Sequence, residues 1–88
     1  MIDMFSVSFG SQPEKFLKKA EKEIRLRIWD EIDKLKLNPF PQDVVRLKGK
    51  KHKAFRVRTG DYRIQYYVFH ETKELLIFDI DKRERAYD

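Results

Sequence analysis

Hydrophobic positions change period along this chain. Over residues 3–9 they alternate, with Phe5, Val7 and Phe9 on one side and Ser6 and Ser8 between them, which predicts a first strand. Gly10-Ser11-Gln12-Pro13-Glu14 then reads as a helix start: Ser11 as N-cap, Pro13 in the first turn, Glu14 three residues after the cap. From there the period lengthens. Phe16, Leu17 and Ala20 make one apolar stripe, and Ile24, Ile28, Ile32 and Leu35 a later one. This pattern admits either one helix over 12–37 or a helical hairpin breaking near 20–22, because neither Gly nor Pro marks a break. Asn38-Pro39-Phe40-Pro41 ends the helical region, since neither proline can continue it.

The second half returns to a period of two. Val44-Val45-Arg46-Leu47 is a short strand and 49–53 a basic loop; strands follow at 54–59 and 62–69, joined by a turn at Thr59-Gly60-Asp61. Phe55 and Val57 point to one face of this hairpin, Arg56 and Arg58 to the other; Tyr62, Ile64, Tyr66 and Val68 likewise oppose Arg63. After a turn at 70–73, the run 74–80 is the most apolar strand and is predicted to be central, with 81–88 a charged tail. Early helices and late strands make an α+β protein: a small antiparallel sheet with an N-terminal helical hairpin packed on one face.

At 88 residues the chain is expected to form a single domain, 1–88. Its 41% apolar content, with 7 Phe, 4 Tyr and 1 Trp, supports a packed core although 40% of residues are charged. The absence of cysteine rules out a disulfide framework and thiolate metal sites. No apolar run is long enough to span a membrane, and Met1-Ile2-Asp3-Met4-Phe5 lacks the regions of a signal peptide, so a cytoplasmic location is expected.

Charge changes the picture more than composition does. The net charge is +5, yet eight basic residues against one acid, Asp61, give 46–63 a surplus of +7. They are Arg46, Lys48, Lys50, Lys51, Lys53, Arg56, Arg58 and Arg63. Such a patch suits nucleic acid or an acidic protein segment. Guanidinium binds phosphate with paired donors, so the arginine face of the hairpin is the leading candidate site. The bland alternative is a solvated sheet face paired with Asp61, Glu71 or Glu74. Lys82-Arg83-Glu84-Arg85-Ala86-Tyr87 offers three further cations and a phenol where the last strand ends. His52 and His70 lack partners at metal spacing and read as solvated loop residues, and Trp29 reads as a core or partner contact. No phosphate-binding glycine loop or hydrolase motif is present, and neither metal nor cofactor is expected. Phosphoester cleavage by Arg, Lys and Tyr remains open, because electrostatic stabilisation supplies much of such a rate.

Three strings carry a resemblance covering nearly the whole chain: Leu47-Lys48-Gly49, the run from Phe55 through Arg56, Val57, Arg58, Gly60, Asp61, Tyr62, Arg63 and Ile64 to Tyr66, and the closing Lys82-Arg83 with Tyr87. They resemble the RelE/ParE toxin superfamily, and the ending resembles its RelE-like messenger-RNA endonucleases. That resemblance implies the family's sheet with a helical hairpin. It implies a toxin of a type II toxin–antitoxin system that enters the ribosomal A site and cuts messenger RNA without a metal: the 2′-hydroxyl attacks the adjacent phosphate, leaving a cyclic phosphate and a 5′-hydroxyl. Its catalytic positions match Arg56 and Arg58 on the basic strand, Arg63 as phosphate clamp, Arg83 at the leaving group and Tyr87. Lys82 falls where members often carry a histidine for proton transfer. Arg46, Lys48, Lys50, Lys51 and Lys53 would meet RNA or ribosome. A RelB-like antitoxin would cover this face in a hetero-oligomer. The alternatives are a ParE-like gyrase poison, which shares the hairpin, and a non-catalytic RNA-binding module. Arg56 and Arg58 replace lysines of the bacterial prototype. Arginine stays protonated, so both are assigned to charge stabilisation and the general base has no residue assigned.

Overall fold

A computed structural model describes residues 4–82. β1 spans Ser6–Phe9, α1 Ser11–Lys19, α2 Lys22–Leu37, β2 Val45–Leu47, β3 Ala54–Thr59, β4 Tyr62–Phe69 and β5 Glu74–Lys82. The sheet runs β1-β5-β4-β3-β2. β2 to β5 form the expected antiparallel meander, while β1 adds beside β5 in parallel, the two helices carrying the chain across. β4, rather than the more apolar β5, occupies the middle of the sheet. β5 is still interior, flanked by β1 and β4, which accounts for its apolar residues on both faces.

The helical region is a pair, broken at Ala20 and Glu21, whose ψ angles of 148° and 155° are extended. Arg25 caps the break by donating from Nη1 to the Ala20 carbonyl at 2.8 Å. α1 begins one residue earlier than the Ser11 cap predicts: Gly10 is the N-cap, with no side-chain cap bond. The reason lies in the sheet. Gly10 N–H still bonds Ile77 O at 2.9 Å, so the strand ladder runs directly into the first helical turn.

β1 reaches only to Phe9 opposite Ile77, which would leave the far edge of β5 unpaired. Gln12 takes over there. Its Nε2 donates to Ile80 O at 2.7 Å and its Oε1 accepts from Ile80 N at 2.9 Å. One amide thus supplies both the donor and the acceptor that a strand would.

Both helices cover the same face, here the inner face. Leu17, Ile28, Ile32 and Leu35 pack against Phe55, Val57, Ile64, Tyr66, Val68, Leu75, Ile77 and Ile80. Each such side chain contributes roughly 1.5–3 kcal/mol on full burial. Tyr66, fully buried, donates its hydroxyl to Pro39 O at 2.6 Å and ties the loop after α2 to the central strand. Trp29 is half-buried, its ring edge-on to Phe9 at 5.4 Å. Among the described residues no helix is long and apolar enough to cross a membrane.

Candidate functional site

The outer face of the sheet, opposite the helices, collects the chemistry. β3 and β4 are joined by a two-residue turn, Gly60-Asp61, with Thr59 opposite Tyr62. Gly60 has φ +61°, the sign a II′-type hairpin needs at its first turn position, which a side chain would strain. This tight turn fixes the register. Arg58 lies directly opposite Arg63, and Arg56 opposite Gln65. Directly paired residues share a face, so Arg56, Arg58 and Arg63 stand together on the outer side while Val57 and Ile64 fill the core. Arg58 is exposed, and Arg56 and Arg63 are half-buried.

None of the suspected partners Asp61, Glu71 or Glu74 neutralises this face. Arg63 instead pairs with Asp81 of β5, Nε to Oδ1 at 3.4 Å, and the two are directly opposite in register. Arg56 and Arg58 have no ion pair among the described residues. Among the described residues, two guanidinium groups beside a third therefore stand without a carboxylate partner.

β5 departs from its predicted end. Its strand continues through Asp81 to Lys82 rather than giving way to a tail at 81. A bulge lies between: Tyr66 pairs with Ile77, but Gln65 pairs with Asp79, so Phe78 is the extra residue. Strict alternation from Leu75 and Ile77 would send Asp79 and Asp81 into the core. With the bulge, Ile80 takes the core position and both aspartates join the arginine face. Burial pushes the Asp79 carboxyl above the usual carboxylate range, helped by the charge of Asp81 and a hydrogen bond to it, and opposed by Arg63 and Lys50. The sequence pattern contained a signal for these two residues in Asp79-Ile80-Asp81, an alternation that ends an otherwise apolar strand.

The remaining basic residues divide. Lys48, Lys50, Lys51 and Lys53 are exposed in and beside the loop before β3. That loop folds over the outer face: Lys50 Nζ stands 5.4 Å from the Phe78 ring, and His52 meets Tyr67 and Phe69 edge-on at 5.4 and 5.1 Å. Tyr67 and Phe78 themselves pack at 4.4 Å, forming an aromatic stretch on the same side as the arginines. His52 and His70 are exposed as expected, yet each packs on rings, His70 stacking on Phe40 at 5.4 Å. Arg46 is not brought to this face. It pairs with Phe55 and its guanidinium lies over that ring at 5.6 Å, on the inner side of the edge strand. Lys82 lies opposite Tyr62, whose ring meets Phe16 of α1, so it too is rooted on the helix side. Arg83 and Tyr87 lie outside the described residues. Arg27 of α2, which sequence pattern did not single out, reaches the hairpin tip and stands against Gly60.

A chain of the archaeal RelE–RelB complex from Pyrococcus horikoshii OT3 has the same fold, with TM-score 0.81 and 30% identity, over 94% of this chain and 99% of that one. The protein belongs to the RelE toxin superfamily. A second relative is a protein of Methanocaldococcus jannaschii named RelE1, 42% identical over 59 residues; the match spans 64% of either chain, just under two thirds of that relative's length. A chain of the RelB–RelE antitoxin–toxin complex from Methanococcus jannaschii is similar at 27% identity and TM-score 0.64, over 91% of this chain and 94% of that one. No family profile matches the chain. Within this RelE-like fold, the arginine hairpin is the feature that both the sequence strings and the three-dimensional register place on one open face.

Proposed function

We propose that this protein is the toxin of a type II toxin–antitoxin pair, a metal-independent endoribonuclease that cleaves messenger RNA in the ribosomal A site. The observation that carries the reading is the register Arg58–Arg63 with Arg56 beside it: three guanidinium groups on one face, two of them without a carboxylate partner among the described residues. A phosphodiester in the act of cleavage spreads negative charge over its equatorial oxygens, and fixed guanidinium donors stabilise that charge without reorganising. In this reading the 2′-hydroxyl attacks the neighbouring phosphate, Arg63 clamps the phosphate, and Arg56 and Arg58 stabilise the developing charge. Arg83 assists the departing 5′-oxygen and Tyr87 orients the reacting ribose. Lys48, Lys50, Lys51 and Lys53 flank the face and contact the RNA backbone or ribosome.

The partner is a RelB-like antitoxin forming a hetero-oligomer with the toxin. RelE–RelB complexes among the similar structures support this. A shallow, mainly apolar groove of about 640 Å³ between α1, the start of α2 and Tyr62 lies on the helix side, away from the arginines. It suits a partner's side chains better than a reaction centre.

Primer extension on a message translated in a reconstituted system tests the function. Cuts at codon positions, present with the purified toxin and absent when antitoxin is added, are expected. Intact message together with gyrase-dependent DNA damage in cells would replace the nuclease by a ParE-like poison.

A further inference from the structure

The arginine face supplies positive charge but, in the three arginines themselves, nothing that can accept a proton. Attack by a 2′-hydroxyl needs an acceptor. Among the described residues, few charged or titratable groups besides the arginines gather here, and His52 is turned onto the Tyr67 and Phe69 rings. Asp79 and Asp81 rise from β5, Arg63 and the neutral Gln65 from β4, Arg56 and Arg58 from β3, and Lys50 leans in from the basic loop. Of the two carboxylates, Asp81 is engaged by Arg63 Nε at 3.4 Å. Asp79 lies opposite Gln65, which in turn is opposite Arg56. It is therefore one strand from the phosphate clamp and two from the charge-stabilising arginine, without an ion pair among the described residues.

We infer that Asp79 is the general base of the cleavage reaction, delivered to the arginine face by the Phe78 bulge, and that Asp81 is a positioning residue holding Arg63 and Asp79 in register. This assignment rests on the nuclease reading above. The step balances simply. The Asp79 carboxylate takes the 2′-hydroxyl proton, O2′ bonds to phosphorus, the P–O5′ bond breaks, and the departing 5′-oxygen gains a proton from solvent. No oxidant or metal is consumed. Burial and the neighbouring Asp81 raise the affinity of Asp79 for that proton above the ordinary carboxylate value, the direction that strengthens a base. Arg63 and Lys50 act the other way and favour the ionised form.

The test is single-turnover cleavage of a message paused on ribosomes, measured against pH, with ribosome binding and circular dichroism as controls. The wild type should lose rate on the acid side as Asp79 protonates. Asp79→Asn should fold, since it removes a carboxylate whose ionised form burial disfavours. It should bind ribosomes at least as tightly and cleave about 10²–10⁴-fold more slowly, with the acid limb gone. Asp81→Asn should move the limb to lower pH, because the charge and hydrogen bond that raise Asp79 are lost; a purely structural role would leave the limb in place. Cleavage by Asp79→Asn within a few-fold of wild type, acid limb retained, overturns the assignment alone. A wild type that shows no acid limb while cleaving overturns it as well, without recourse to any variant. A wild type that binds ribosomes but never cleaves overturns the nuclease reading and this assignment with it.

Discussion

Arg63 and Asp81 face each other directly across β4 and β5, and Arg63 Nε donates to Asp81 Oδ1 at 3.4 Å. The bond uses Nε, and among the described residues neither terminal nitrogen of the guanidinium meets a carboxylate. A half-exposed pair of this kind contributes only about 0–1 kcal/mol to stability. Its value is directional, because it fixes the fork that would meet a phosphate.

Arg63→Ala should therefore reduce single-turnover cleavage of ribosome-paused messages by about 10²–10³-fold while changing the melting temperature little. Arg63→Lys restores charge without the planar fork and should recover only part of the rate. Wild-type rates in the alanine variant would remove Arg63 from the site.

Binding should be steeply salt-dependent. Each single-strand phosphate contact neutralised contributes a log–log slope of about −0.7. Replacing Arg56, Arg58 and Arg63 together by alanine should flatten the ribosome-binding slope by about 2 units on that scale. An unchanged slope would mean that RNA meets another surface.

The end of the chain should act with this face. Arg83→Ala is expected to cut the rate as severely as Arg63→Ala, and Tyr87→Phe to lower it if the hydroxyl orients the ribose. Lys82 is rooted on the helix side beside Tyr62. Lys82→His should therefore alter the pH profile of cleavage only if the long lysine chain wraps round the strand end. The same single-turnover assay across pH distinguishes these results.

Antitoxin binding should raise the melting temperature by linkage and abolish cleavage. Co-expression of the toxin with the product of the neighbouring small gene, followed by co-purification and calorimetry, measures both. A neighbour that neither binds nor neutralises would count against the paired system.

Tyr66 offers a stability test independent of the site. Tyr66→Phe leaves the buried Pro39 carbonyl without its 2.6 Å donor and should cost about 1–3 kcal/mol, with cleavage by the folded fraction unchanged. Burial holds the Tyr66 hydroxyl well above the ordinary phenol value, with Glu31 and Asp43 adding to the effect. The stability it contributes is complete below the unfolded value of about 10 and is lost as pH rises above it toward the folded value. Denaturant unfolding of wild type should weaken above about pH 10, and Tyr66→Phe should lack that component.

Much of this architecture is written in local pattern. Alternation over 54–59 and 62–69, with Gly60 free to take positive φ, is enough to place three arginines on one face and Val57, Ile64 and Tyr66 on the other. The stripes Ile24-Ile28-Ile32-Leu35 and Phe16-Leu17 likewise identify the faces the helices bury. Both are consequences of a fixed side-chain period, which needs no knowledge of neighbours. The break at Ala20 was open in the sequence because Leu17 and Ile24 stay in helical phase across it, and only the docking of both helices on one sheet face resolves it. The parallel seat of β1 depends on β5 having a free edge, with Gln12 finishing the ladder that β1 leaves short. Arg46 belongs to a basic run in sequence, but pairing opposite Phe55 turns it to the inner side. The site itself turns on Phe78. A single extra residue in β5 reverses every side chain after it, exchanging Ile80 into the core and Asp79 and Asp81 onto the arginine face. The alternation Asp79-Ile80-Asp81 hints at that exchange, but its phase conflicts with that of Leu75 and Ile77, and only the register with β4 and the core's demand for Ile80 decide between them.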